Sequence, residues 1–256
     1  MKIVIDDVTK TLELFSKDGD VKLDLYSLEA YRLIAKLWMK TSWNQKYPYT
    51  FTWMGRPVIQ HPEDMLRLQE VIYNLRPDVI VETGVAHGGS LIFYASLMKC
   101  MGYGKKVIGV DVEIRKPNRD AIESHELSPM ITLIEGDSVS SETLSRVSKE
   151  TPPGSKVLVI LDSDHSYAHV MKELIAYSPL VSVDSYIVST DGIMREVADV
   201  PRGKPGWIQD NPANAAEDFS KSNPQFIIEE PAWKFNESNL SQNLTAWPSA
   251  WLKRVS

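Results

Sequence analysis

Residues 79–90, VIVETGVAHGGS, limit what this chain can fold into more than any other stretch. The apolar triplet Val79, Ile80 and Val81 runs into an acid, Glu82, and Gly84, Gly88 and Gly89 follow before residues 91–98 begin to read as a helix. Strand, glycine turn and helix in that order bring backbone close to a bound cofactor, with a helix N-terminus beside it. The dinucleotide fingerprint G-x-G-x-x-G is broken, because Ala86 stands where its second glycine belongs, and no Gly-Lys-Ser/Thr of a P-loop follows. Glu82 would repel a pyrophosphate and would suit a cationic, amine-bearing ligand. The competing reading is a glycine turn that only lets a helix pack tightly on a strand.

The rest of the chain extends this unit. Residues 106–111, 130–134, 157–161 and 186–189 are short apolar runs separated by helical patterns at 91–101, 140–148 and 167–177. Such alternation predicts a mostly parallel sheet covered on both faces. Acids stand at or just past the ends of these strands, namely Glu82, Asp111, Asp137, Asp162 and Asp191. Ligands of open α/β sheets bind outside those carboxyl ends, and the repetition goes beyond ordinary loop capping. Residues 225–229 and 251–255 supply two further strands. Residues 199–218, rich in Gly, Pro, Asn and Asp, read as a loop and a candidate lid.

Ahead of the glycine turn, residues 1–20 are polar with a turn at 17–20, and residues 23–39 carry apolar side chains at helical spacing. Aromatic residues crowd positions 43–53, as expected of a lid packed over the domain, an acceptor pocket or an oligomer contact. A helix starts near Pro62, with Glu63 and Asp64 favourable against its dipole. With 256 residues there is room for one sizeable α/β domain and an elaborated end. A formal charge of -6 argues against a general nucleic-acid binder, and the single Cys100 against a disulfide framework or thiolate metal cluster. The first residues lack the long apolar core of a secretion signal or membrane anchor, and no run nears the roughly 18 apolar residues of a span. The expectation is a soluble, cytoplasmic protein with no membrane or nucleic-acid partner.

Several segments together identify a resemblance. They are WMGRP at 53–57 with Gln60, Pro62 and Asp64, then ETGVAHGGS, GVDVEIR at 109–115, EGDS at 135–138, LDSDHSYAHV at 161–170, LVSVDSYIV at 180–188, and LTAWPSAWLKR from Leu244 and Thr245. This combination resembles the cephalosporin hydroxylase family, which includes S-adenosylmethionine-dependent O-methyltransferases of the rhamnosyl and cephamycin-pathway type. The resemblance implies a Rossmann-like class I methyltransferase fold, α/β, with a seven-stranded sheet whose last strand is antiparallel. It divides the chain into an N-terminal helical extension and lid, residues 1–60, and a methyltransferase domain, residues 61–256. It also implies methyl transfer to a hydroxyl of a small molecule, a sugar or natural-product intermediate, by a homo-oligomer.

Carried over residue by residue, the turn with Gly84, Ala86 and Gly88 passes the methionine part of S-adenosylmethionine, with Glu82 near its ammonium and Ser90 near its carboxylate. Asp111 resembles the acid that grips the ribose diol, since two carboxylate oxygens can accept both hydroxyl protons. Asp137 and Ser138 resemble the adenine-binding pair. Magnesium is implied beside the methyl group, with Asp162 and Asp191 as ligands and an all-oxygen shell. The pattern departs at Thr190, where the related cephamycin-pathway enzyme has a glutamate, and Asp164 is the residue placed to compensate. His165 is the candidate general base, with Asp162 beside it in the catalytic set, and His169 is structural. A nicotinamide oxidoreductase and an iron oxygenase lack their motifs here. A non-catalytic partner subunit is the remaining alternative.

Overall fold

The computed structural model describes residues 2–17 and 19–256. The chain opens with β1 (Lys2–Asp6), β2 (Thr11–Ser16) and β3 (Gly19–Asp24), an antiparallel meander in that order. This corrects the expectation of a polar lead-in to a purely helical extension. Asp18, in the expected turn, lies outside the described residues. The meander was hard to read because its strands are half polar and only Leu12 among them is fully buried. Helix α1 (Leu28–Asn44) follows, capped by Ser27, whose hydroxyl accepts the amide of Ala30.

The aromatic stretch forms a 3-10 turn (Tyr47–Thr50) and the hairpin of β4 (Phe51–Trp53) and β5 (Arg56–Val58). It packs by edge-to-face ring contacts. Trp53 meets Phe93 at 4.9 Å and donates its indole N–H to Ser96, while Trp43 meets Trp207 at 5.6 Å.

The main unit comprises α2 (Pro62–Leu75), β6 (Val79–Thr83), α3 (Gly89–Met101), β7 (Lys106–Asp111), α4 (Lys116–Glu123), β8 (Ile131–Glu135), α5 (Ser141–Glu150), β9 (Val157–Leu161), α6 (Tyr167–Tyr177), β10 (Tyr186–Ser189), α7 (Pro212–Ser222), β11 (Phe226–Ile228) and β12 (Trp251–Arg254). Its seven strands lie in the order β11-β12-β10-β9-β6-β7-β8. Strands β8, β7, β6, β9 and β10 pair in parallel, and β12 runs antiparallel to both β10 and β11. The chain starts at the central β6, moves outward to β8, then crosses back to β9. The sheet's topological switch point therefore falls between β6 and β9, beside the glycine turn.

The two-residue period of a strand separates the core into two layers. Ile80, Val107, Leu158 and Val188 face α2 and α3, packing with Leu68, Ile72 and Leu91. Val79, Val81, Ile108, Val159 and Ile187 face the other way onto Val147, Leu174 and Phe219 of α5, α6 and α7. Residues 199–218 are not the expected open loop. They contain a 3-10 turn (Pro205–Ile208) and most of α7, which Asn211 caps by accepting the amide of Asn214. The helix seats Ala215, Ala216 and Phe219 in the second layer, where small alanines give little hydrophobic signal. Helix α4 escaped the sequence for a similar reason, since Ile122 is its one buried residue among those described.

Asp64 ties α2 to the segment before β12. Its carboxylate accepts the hydroxyl of Thr245 and the amide of Ala246, and its residue is 3 % exposed. Burial raises its pKa to about 7. The folded protein therefore keeps a proton that the unfolded chain releases near pH 4, so stability is greatest below that pH and falls as pH rises toward 7. The interval from 3.8 to about 7 corresponds to roughly 4 kcal/mol at most. Urea melts of Asp64→Asn across pH 4–8 should show a flatter profile than the wild type; parallel profiles would assign the slope to other groups.

Candidate active site

Glu82 lies one residue before the end of β6 and has no exposed surface. Ser90 donates its hydroxyl to Oε2 at 2.6 Å and Tyr94 donates to Oε1 at 2.8 Å. Burial raises the Glu82 pKa to about 8, and the charge of Asp162 pushes in the same direction. The Ser90 hydroxyl is thus turned onto Glu82.

The glycines of the turn all serve close packing. At Gly84, with φ of +92°, a Cβ would lie 1.9 Å from the carbonyl oxygen of Asp162. At Gly88 it would strike Ile122 of α4, and at Gly89 the carbonyl of Pro57 in the hairpin. The tight-packing reading of the turn agrees with these close approaches. Ala86 takes a φ of +44° and its carbonyl accepts from Asn118, while the His87 carbonyl accepts from Arg56 at 2.6 Å. His87 itself is exposed.

Asp111, at the end of β7, accepts the amides of Val85 (2.8 Å) and Ala86 (3.2 Å) on Oδ2, and that of Glu113 on Oδ1. These contacts make it an organiser of the turn. Asp137 is exposed and accepts the amide of Val139, whereas Ser138 is buried with its hydroxyl 3.2 Å from His169 Nε2. His169 also lies 3.2 Å from the buried Glu173, a hydrogen bond that raises the His169 pKa. Its structural assignment agrees with these contacts.

Strands β9 and β10 bring Asp162 and Asp191 together with His165. One ligand atom from each of the three lies within 4.8 Å of the others, and His165 Nδ1 is 3.6 Å from Asp191 Oδ2. Two carboxylates and an imidazole around one point fit a divalent cation. Burial raises the Asp191 pKa to about 6, opposed by His165 and reinforced by Asp162. The other two expected ligands are engaged elsewhere. Thr190 is fully buried and donates its hydroxyl to Asp162 Oδ1 at 2.6 Å. Asp164 accepts the amide of Ser166 at 2.7 Å and stands outside the cluster.

Two residues without an assigned role belong to this site. Gln60 is 5 % exposed and places Nε2 3.4 Å from Asp162 Oδ2. Tyr94 sits one helical turn beyond Ser90 on α3, and that i, i+4 spacing could have revealed that both reach Glu82. Gln60 carried no periodic signal, because the linker between β5 and α2 has none, and its place in the resembling segment assigned it no role.

A sheet of this order, with a glycine turn at its switch point and acids along the carboxyl edge, defines a class I methyltransferase. The sequence matches the Rhamnosyl O-methyltransferase/CmcI family over residues 45–255, and the chain belongs to that family. It is a S-adenosylmethionine-dependent O-methyltransferase. A Rhamnosyl O-methyltransferase of Mycobacterium leprae (strain TN) is 31 % identical over 182 residues, covering 68 % of this chain and 72 % of the relative. That of Mycobacterium tuberculosis (strain ATCC 25618 / H37Rv) is 29 % identical over 202 residues, 76 % of this chain and 73 % of the relative. Among solved structures, the fold is similar to CmcI in its apo form (TM-score 0.52, 22 % identity, 81 % and 77 % of the two chains). It is also similar to CmcI in a Mg-SAM form (TM-score 0.51, 21 % identity, 81 % and 78 %).

Gly84→Ala tests the packing of the turn. The added methyl meets backbone, which cannot swing aside, and φ is unfavourable, so a loss of about 1–3 kcal/mol is expected in chemical denaturation. An unchanged midpoint would show that the Asp162 loop can yield.

Proposed function

We propose that this enzyme methylates a hydroxyl of a sugar or a sugar-bearing natural product, with the reaction centred on Asp162, His165 and Asp191. The observation that supports this best is the convergence of those three side chains at the edge of the glycine turn. The acceptor class follows the relatives, whose names specify a rhamnosyl acceptor. S-adenosylmethionine would lie along the turn, its amino end toward Glu82, its ribose at Asp111 and its adenine between Asp137 and Ser138.

The acceptor oxygen attacks the methyl carbon as the carbon–sulfur bond breaks, its electron pair passing to sulfur to give S-adenosylhomocysteine. His165 takes the hydroxyl proton on Nε2, and Asp191 beside Nδ1 orients the ring and stabilises the imidazolium. The protein's other task is to hold oxygen, methyl carbon and sulfur in line and to exclude water. Magnesium held by Asp162 and Asp191 would supply Lewis-acid stabilisation of the ionised acceptor oxygen. The aromatic N-terminal unit, residues 1–60, would form the acceptor-side lid.

Calorimetry with S-adenosylhomocysteine, followed by a turnover screen against rhamnosides and related sugars, tests this reading. Asp111→Ala should lower cofactor affinity by roughly 1–3 kcal/mol, the scale of a charge-assisted hydrogen bond. His165→Ala should instead cut turnover by about 10²–10⁴ with cofactor affinity little changed. Equal affinity in Asp111→Ala, or full turnover in His165→Ala, would remove that residue from its role.

The same reading includes a cytoplasmic homo-oligomer. Tyr31, Trp38 and Tyr49 expose 42 %, 43 % and 55 % of their surface on the N-terminal unit, where interfaces favour aromatic centres. Light scattering should give a multiple of 28.9 kDa; a monomer at micromolar concentration would exclude it.

A further inference from the structure

Helix α6 turns one row of side chains toward the loop that follows β8. His169, Glu173 and Tyr177 stand four residues apart and so share a face of the helix. Tyr177, fully buried, donates its hydroxyl to the Ser138 carbonyl at 2.9 Å. His169 Nε2 lies 3.2 Å from the Ser138 hydroxyl oxygen and 3.2 Å from Oε1 of Glu173. Glu173 has no exposed surface, and Ser163 donates to the same Oε1 at 2.8 Å. The row therefore holds both the backbone and the side chain of Ser138.

These contacts fix where the protons lie. A carboxylate and a bare ring nitrogen are both acceptors and would repel each other at 3.2 Å. Imidazole is the stronger base of the two, so Nε2 carries the proton. A protonated ring nitrogen has no lone pair to offer. In its contact with Ser138 the hydroxyl oxygen accepts, and the hydroxyl proton is left for another partner. We propose that His169 and Glu173 are positioning residues that fix Ser138 as a hydrogen-bond donor to a ring nitrogen of the cofactor's adenine. The proposal rests on the methyl-transfer reading above, which puts adenine between Asp137 and Ser138. Adenine carries an acceptor nitrogen, N1 or N7, on each side of its exocyclic amine. A donor at Ser138 then complements the exposed carboxylate of Asp137, which can accept from that amine.

The test is calorimetry on the full chain with S-adenosylhomocysteine and its 1-deaza and 7-deaza analogues, each of which replaces one ring nitrogen by carbon. The wild type should bind one of the two analogues about three- to tenfold more weakly than the parent, the scale of one hydrogen bond. Ser138→Ala should abolish that discrimination, and His169→Leu should cut it by at least half. His169→Gln, whose amide can place an N–H where Nε2 stands, should keep it. A purely structural role for His169 would weaken parent and analogues alike and leave the discrimination unchanged. Circular dichroism would verify folding. If His169→Leu does not fold with Glu173 left unpaired, nitrogen NMR of the histidine-labelled wild type decides, since His169 Nε2 should give the signal of a protonated nitrogen. An unprotonated Nε2, or wild-type discrimination retained in folded His169→Leu, overturns the assignment and leaves methyl transfer standing. So does a wild type that binds both analogues as tightly as the parent. No binding of S-adenosylhomocysteine to the wild type would overturn both.

Discussion

The site depends on how the strand ends are tied to one another. Beyond the paired strands, the amide of Gly84 donates to Val110, that of Asp162 to Thr83, that of Thr190 to Leu161 and that of Gly136 to Asp111. Each bond carries the hydrogen-bonding of the sheet one step past a strand and fixes where the following acid emerges. Between β6 and β9 the backbones come so close that only glycine fits at position 84. Move that turn outward and Glu82, Asp162 and the start of α3 lose their common reference.

The chemistry follows from what these ties bring together. Glu82, Asp162 and Asp191 are carboxyl groups whose contacts are chiefly neutral donors and one imidazole. Removal from water penalises the charged forms of Glu82 and Asp191, which is why their pKa values rise. Positively charged ligands relieve that penalty. A sulfonium cofactor with an ammonium end, and a divalent cation, are both of this kind. Asp111 contrasts with them, because three backbone amides already satisfy its carboxylate.

Much of this was legible in the sequence, since the strands that carry the acids are also the most continuously apolar. The bounds of β7, β9, β10 and α6 follow directly from their apolar runs. The glycine turn announced its packing role, and the strand-end acids announced the edge where Asp162 and Asp191 meet. Elements with little apolar contrast were harder. Helix α4 buries one isoleucine, α7 buries alanines, and the meander of β1 to β3 is half polar. Their stability comes from partners distant in sequence, which local pattern does not encode. The direction of a side chain was likewise hidden. Asp164 and Thr190 sit in the right loops for ligands, yet one receives a local amide and the other turns onto Asp162.

Thr190 shows how a buried position beside Asp162 is filled without a second charge. An acid at this fully buried position would bring a second carboxylate against Asp162, and each would need a cation to be tolerated. A threonine donates instead. Its hydroxyl holds one Asp162 oxygen while the Gln60 amide approaches the other. Neither partner carries a positive charge, so neither neutralises Asp162 as an arginine would, and the carboxylate is oriented without being satisfied. His165 then supplies the third polar group at the edge of the cluster, with Asp191 turned toward its ring. The arrangement holds Asp162 by hydrogen-bonded geometry in place of a second formal charge.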